Sequence, residues 1–351
     1  MKKTAFTLAA MAVLATAGSA HAQSNVSVYG LLDIGVENVN HSANGNNRVS
    51  SGGMNTSRWG IRGNEDLGGG LKAVFNLEGG LLLDSGASDG ALFKRQAYVG
   101  LDGSYGRLVL GRSFSTVYDF VLPFDPMAYA PYYSWATSGN ATGSSKYGMS
   151  TAFDNMVKYS GKAGDFKFGA SYGFGEQSTG AADSAKLSTA VTYGTGPFSV
   201  LATYEKINGN TLPATGNRDK TTAYHLGAMY NQGPVKVQLA VRDFKQQLAK
   251  AATPDVRGTL YWGGLSYQTT PAITLTGVIY YQDVKNVAPN LDADPIMYVG
   301  RFRYALSKRT DLYVSAAYAK ARHNQLVGLS RDEAGLANTQ RGVITGIQHR
   351  F

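Results

Sequence analysis

From Val26 to Glu37 the chain reads VSVYGLLDIGVE, and its residues alternate in character. In an extended strand Leu32, Ile34 and Val36 fall on one side and Asp33, Gly35 and Glu37 on the other, because successive side chains point oppositely. The same alternation returns at RWGIR, where Trp59 and Ile61 oppose Arg58 and Arg62. It returns again at KAVFNLE, where Ala73, Phe75 and Leu77 oppose Lys72, Asn76 and Glu78. Further segments of this kind begin near Phe93, Arg107, Asn155, Phe166, Lys186, Phe198, Thr221, Val235, Gly258, Ile273, Met297, Thr310 and Arg341. The pattern predicts about sixteen strands, each near the 9–11 residues that a tilted strand needs to cross a bilayer. No stretch carries the periodicity of a convincing amphipathic helix.

The connections alternate as well. Leu67–Gly70, Asp102–Gly106, Gly161–Asp165, Gly194–Pro197, Gln232–Pro234, Thr269–Pro271 and Leu306–Arg309 are short and mostly rich in Gly or Pro, as tight turns require. Between them lie long polar connections, the longest from Ser113 to Phe153. Short turns at one end and long loops at the other describe an up-and-down antiparallel sheet. Lipid offers no partner for an unpaired N–H or C=O, so such a sheet must close into a barrel. The terminal GVITGIQHRF, with Val343, Thr345, Ile347, His349 and Phe351 on one face, is then the strand that pairs with the first and seals the wall.

Composition sharpens the picture. Arg58, Arg62, Lys72, Glu78, Lys158, Lys236, Arg242, Arg301 and Arg303 share the polar phase of their strands. Burying unpaired charges is costly, so an interior lined by them holds water, and a barrel of sixteen strands is wide enough for a channel. Tyr159, Tyr172, Tyr193, Tyr204, Tyr230, Tyr267 and Tyr318 stand near strand ends, as in an interfacial girdle. Lys2 and Lys3, the apolar run Ala5–Ala17 and the small residues Ala20 and Ala22 read as a secretory signal peptide spanning 1–22, with the barrel as a single domain over 23–351. Cysteine is absent, and the net charge of +9 includes the two leader lysines.

VYGLLD at Val28–Asp33, SRWGIRGNEDLGGGLKA at Ser57–Ala73, RQAYVGL at Arg95–Leu101, LGR at Leu110–Arg112 and the final HRF at His349–Phe351 resemble the general porins of Gram-negative bacteria, particularly the β-proteobacterial type. The resemblance covers essentially the whole mature chain. It implies a homotrimer of sixteen-stranded barrels in the outer membrane, in contact with lipid and lipopolysaccharide. It also implies that the Phe351 strand is an assembly signal read by the barrel-insertion machinery. It further implies that the third long loop folds into the lumen, with Asp119 and Asp125 facing basic side chains of the wall. Strand phase nominates Arg58, Arg62 and Lys158 for that wall, and the resemblance adds Arg95. Where general porins often carry Pro-Glu-Phe-Gly, this loop has Pro123-Phe-Asp-Pro126, which leaves open which acid faces the arginines.

The expected activity is passive diffusion of ions and small hydrophilic solutes, with weak to moderate anion preference from the excess of bases at the neck. A substrate-specific channel is the alternative, since the tyrosines of the long loop, among them Tyr118, Tyr129, Tyr132 and Tyr133, could stack on a sugar or an aromatic solute. No enzymatic activity, cofactor or metal is expected: His41, His225, His323 and His349 have no acid or nucleophile partner at suggestive spacing. No nucleic-acid partner is expected either, because the basic residues follow strand phase rather than forming a patch. Asn140-Ala-Thr142 matches a glycosylation acceptor by chance.

Overall fold

The computed structural model describes residues 25–137, 147–250, 252–331, 333 and 335–351. The predicted leader and the Asn140-Ala-Thr142 triplet lie outside them. Sixteen long strands alternate in direction: β1 (Asn25–Val39), β2 (Arg58–Gly68), β3 (Leu71–Leu82), β4 (Gln96–Gly103), β5 (Gly106–Phe114), β6 (Ala152–Ala163), β7 (Phe166–Gly173) and β8 (Lys186–Thr195) form the first half. The second half is β9 (Phe198–Thr211), β10 (Arg218–Gln232), β11 (Val235–Gln247), β12 (Val256–Gln268), β13 (Ile273–Lys285), β14 (Ile296–Ala305), β15 (Thr310–Lys320) and β16 (Thr339–Arg350). Each pairs with its neighbour in sequence, and β16 pairs with β1 from Leu31↔Arg350 to Val39↔Gly342, which closes the cylinder. Beyond the Leu31↔Arg350 pair the seam is finished by reciprocal backbone bonds between Gly30 and Phe351 of 3.2 and 3.1 Å.

β1 is longer than its partner β2, whose ladder with it ends at Leu31↔Arg58. A short strand within the first loop, Asn47–Ser51, takes over from Ile34 to Asn38 and covers the edge that would otherwise be bare. Observed strand starts fall within a few residues of those expected. The start of β6 is the instructive case: Ala152 rather than Asn155. Asn155 has φ +48°, and the β5–β6 register shifts between Gly111 and Ser113, so a bulge breaks the alternation that marks a strand in sequence.

The two faces separate as the alternation requires. Val28, Leu226, Leu239 and Ile279 point outward and are 64%, 61%, 54% and 48% exposed, respectively. The greasy outer surface therefore has lipid, not another sheet, to meet. Tyrosines stand in pairs on the outer surface of the later strands, with Tyr204 and Tyr224 at 5.1 Å and Tyr261 and Tyr281 at 6.2 Å between ring centroids.

The lumen is not uniformly polar, and here the fold departs from the sequence expectation. Along β12–β15 the inward positions Leu260, Trp262, Val278, Met297, Val299 and Tyr313 are buried and apolar. The third long loop packs on them with Val117, Val121, Phe124, Met127, Tyr133 and Trp135, making a dry cluster on one side of the barrel. The inner faces of β2–β5 stay polar. The loop also contains a helix that the sequence pattern did not predict, α1 (Thr116–Val121), followed by a 3-10 turn over Leu122–Phe124. Six residues are too few to show a helical period. Its local signals are the Ser115 hydroxyl, which caps the Tyr118 amide at 3.1 Å, and Pro123 in the 3-10 turn that follows the helix.

Candidate pore constriction

Loop residues 115–137 and 147–151 reach the far wall because the wall supplies what their backbone lacks. The first amides of α1 have no partner within the helix. Thr116 N–H donates to Ser171 Oγ of β7 at 3.1 Å, and Val117 N–H to Ser188 Oγ of β8 at 2.8 Å. Gln238 Nε2 of β11 donates to the Pro123 carbonyl at 2.7 Å, and Trp262 Nε1 of β12 to the Phe124 carbonyl at 3.0 Å. Phe124 lies against Gly227, where an added Cβ would come within 3.0 Å of its ring. Farther on, Tyr133 Oη donates to Glu37 Oε1 of β1 at 3.2 Å and Trp135 Nε1 to the Gly328 carbonyl at 2.9 Å. Arg242 of β11 and Glu205 of β9 hold Ala136 and Ser150 at 2.5 and 3.1 Å. The loop is thus stitched across the lumen by donors and acceptors from strands far apart in sequence.

The two loop acids do different things. Asp119 projects from α1 onto Lys158 of β6, whose ammonium also donates to the Phe114 carbonyl at 2.9 Å; the ion pair ties the root of the loop to the wall. Asp125 does not face Arg58, Arg62, Arg95 or Lys158. Its carboxylate is buried and accepts from Tyr280 Oη at 2.5 Å, Tyr129 N–H and Ser134 Oγ at 2.8 Å each, and Met127 N–H at 3.3 Å. Burial pushes its carboxyl above the usual range, against the pull of those donors. The cause is physical: an acid between Phe124 and Pro126, on a turn pressed against β12 and β13, organises the turn rather than the aperture.

The basic residues gather on the opposite wall. Arg95, just before β4, donates Nε–H to Glu78 Oε1 at 2.7 Å, and its guanidinium lies 5.1 Å from the Phe114 ring centroid. Tyr29 Oη donates to the other Glu78 oxygen at 2.7 Å. Arg62 is braced on the Tyr29 ring at 4.8 Å. Arg58 is four residues up β2, about 13 Å along the strand. Arg58 lies in the fields of Arg95 and Glu78, and among the described residues no carboxylate forms an ion pair with it. Of the expected constriction residues, Arg58, Arg62 and Arg95 thus line one wall, Lys158 and Asp119 pair at the loop root, and Asp125 sits apart.

α1 separates two water-accessible spaces. On the long-loop side a cavity of about 710 Å³ is lined by Lys94, Arg95, Arg112, Phe114, Tyr118 and Arg331. Toward the short turns a cavity of about 430 Å³ is lined by Asp119, Phe120, Lys162, Asp165 and Lys167. Sequence reasoning missed Arg112, which pairs with Asp154, and Arg331, which lies in the last long loop. Arg112 sits beside a bulge and Arg331 in a loop, so neither has a strand phase to read. Of the long-loop tyrosines, Tyr129 and Tyr133 are 4% and 0% exposed and not available for stacking, as is Trp135 at 0%, whereas Tyr118 and Tyr132 are half-buried and line cavities. His225, inward on β10, pairs with Thr203 Oγ1 at 2.9 Å and stands edge-on to Trp262.

Comparison with known proteins agrees with this architecture. A family model described as Gram-negative porin matches residues 7–324. Outer membrane porin protein 32 of Delftia acidovorans is 33% identical, with all of both chains aligned. An anion-selective porin from Comamonas acidovorans superimposes with a TM-score of 0.81 at 28% identity, covering 94% of this chain and all of that one. A trimer form of OmpT, an outer membrane protein of Vibrio cholerae, superimposes with a TM-score of 0.71 at 16% identity, which speaks for the fold alone. With its closed sixteen-stranded barrel, lipid-facing girdle and inward-folded third loop, this chain belongs to the Gram-negative porin family.

Proposed function

We propose that this outer-membrane general diffusion porin passes small anions in preference to cations, and that its selectivity is set by Arg58, Arg62 and Arg95. The observation that carries the reading is the unequal charge of the passage. Three guanidinium groups line the open wall, the carboxylate among them, Glu78, is engaged by Arg95, and Asp125 is turned away behind the loop. Fixed charges beside a narrow aqueous path, with low-dielectric walls, raise the local concentration of counter-ions. Lys158 and Asp119 cancel each other at the loop root. Similarity to a porin described as anion-selective supports the same sign. The test is the zero-current potential across a planar bilayer in a potassium chloride gradient. A potential of the sign set by chloride is expected; a clear cation preference overturns the proposal.

The same proposal includes a homotrimer. Outward positions of β6–β15 carry tyrosines, among them Tyr159, Tyr193, Tyr230, Tyr267, Tyr298 and Tyr318, whereas those of β1–β5 and β16 carry none. That face is mostly aliphatic apart from Trp59 and Phe75, with Val28, Val36, Val99 and Leu110 exposed, and its lack of tyrosine suits contact with further copies better than contact with the lipid interface. Three equal conductance steps per insertion are expected, and single steps refute it. Phe351, which ends the closing strand, serves as the signal for assembly, and its deletion is expected to lower the yield of inserted barrel with little effect on the channels that do form. The leader is removed after Ala22, so that N-terminal sequencing of the membrane protein begins at Gln23.

A further inference from the structure

The vestibule on the long-loop side combines two features that passage of inorganic ions alone does not require. It is basic on balance, with Lys94, Arg95, Arg112 and Arg331 against Asp89 and Glu205, and it presents an aromatic shelf. Phe114 stacks on Tyr118 with centroids 4.5 Å apart and planes at 18°, and Tyr118 meets Tyr129 at 4.8 Å and 53°. The Arg95 guanidinium extends the series over the Phe114 ring. Phe114 and Tyr118 are only partly buried, and both line the 710 Å³ cavity. The Tyr118 hydroxyl stands in the fields of Arg95, Arg331 and Arg58. An apolar surface maintained at an aqueous passage, with convergent charged groups at its margin, is the ordinary composition of a ligand site.

We infer that this vestibule binds monocyclic aromatic carboxylates on their way through the pore; the inference rests on the anion preference proposed above. The carboxylate sits beside Arg95 and Arg331, which both line the cavity, within the field of Arg58, and a planar anion matches the planar guanidinium donors. The ring of the solute lies against the edges of Phe114 and Tyr118. Those edges are the positive rim of an aromatic ring, and they attract the negative face of another in an edge-to-face arrangement. An aliphatic acid of the same size gains the charge but not the ring contact. A neutral aromatic gains the ring contact but not the charge. The Nε–H of Arg95 is committed to Glu78, which fixes the plane in which its terminal amino groups meet a solute.

The test uses the full-length protein in planar bilayers and measures block of the chloride current by benzoate, cyclohexanecarboxylate and benzyl alcohol. Benzoate is expected to reach half-block at about three- to tenfold lower concentration than cyclohexanecarboxylate, the ratio that one aromatic contact gives. Benzyl alcohol is expected to block least. Equal block by the two acids overturns the inference, as does equal block by benzoate and the alcohol. These comparisons lie within the unaltered protein and do not depend on a variant folding. Phe114→Leu is then expected to bring benzoate down to the level of cyclohexanecarboxylate; retention of the full ratio in that variant also overturns the inference. The potassium chloride zero-current potential, read on the same membranes, separates the two proposals. A chloride-selective pore without benzoate preference refutes only this inference, whereas a cation-selective pore refutes the reading beneath it.

Discussion

Removing one hydroxyl from the wall tests how the constriction loop is held. Tyr280 of β13 is fully buried and donates to Asp125 Oδ1 at 2.5 Å, across 155 residues of sequence. Tyr280→Phe keeps the ring and its packing near Trp135, and deletes one hydrogen bond to a carboxylate. Such a bond contributes roughly 1.5–3 kcal/mol, more than a neutral one, because the buried charge loses part of its compensation. Taking about 2 kcal/mol, the population of the undocked turn rises roughly thirtyfold. The barrel itself is unaffected, since its ladder does not pass through the loop. The assay is hydrogen exchange of the Met127 and Tyr129 amides, which both donate to Asp125. Their protection is expected to fall by that factor, while amides of β13 and β14 keep theirs. Protection at Met127 and Tyr129 within a factor of about three of the unaltered protein would refute the claim that Asp125 is a principal anchor.

Other consequences follow from the same geometry. Arg58→Gln removes a guanidinium that has no ion-pair partner among the described residues, and it is expected to lower the anion-to-cation permeability ratio about twofold or more; an unchanged zero-current potential places the selectivity elsewhere. Ile279→Arg puts a charge on the outer surface at the middle of β13, at a cost of about 2–4 kcal/mol, seen as a lower urea midpoint in lipid vesicles. A midpoint equal to that of the unaltered barrel would mean that this surface does not meet hydrocarbon. Glu333 joins the last loop to the first: burial pushes its carboxyl up, but the Arg48 guanidinium at 2.5 Å and the Ser42 hydroxyl outweigh it and hold it below the ordinary 4.5. A carboxyl depressed in the closed state stabilises that state fully above 4.5, and the contribution is lost as pH falls through the depressed value. Spin labels on cysteines placed at Asn44 and Leu336, in a chain with no native cysteine, are expected to separate only below that range; separation on raising the pH refutes the sign.

Which residues meet lipid was legible at Val26–Glu37 alone, and the rule held around the barrel: Val36 is outward and Glu37 inward, and Ile279 and Tyr280 divide in the same way. The basic wall was partly legible. Arg58 and Arg62 carry their phase in their own strand, two turns of the pleat apart. Arg95 precedes the first residue of β4, and its place became clear only from its bond to Glu78. The roles of the two acids were not legible. Asp119 and Asp125 are six residues apart on the same polar-looking loop, yet one meets Lys158 and the other Tyr280.

The sequence by itself determined the barrel: strand number, up-and-down order, the closing strand, and the side of each strand that faces hydrocarbon. These depend on a period of two and on turns between adjacent segments, both of which are local. The resemblance to porins already implied that the third loop folds inward; only the tertiary structure decided how it is anchored, that it dries one side of the lumen and that it leaves the arginines on the other. Its anchors, such as Trp262 for Phe124 and Gly328 for Trp135, lie 138 and 193 residues away, and no local pattern records a hydrogen bond made across a pore.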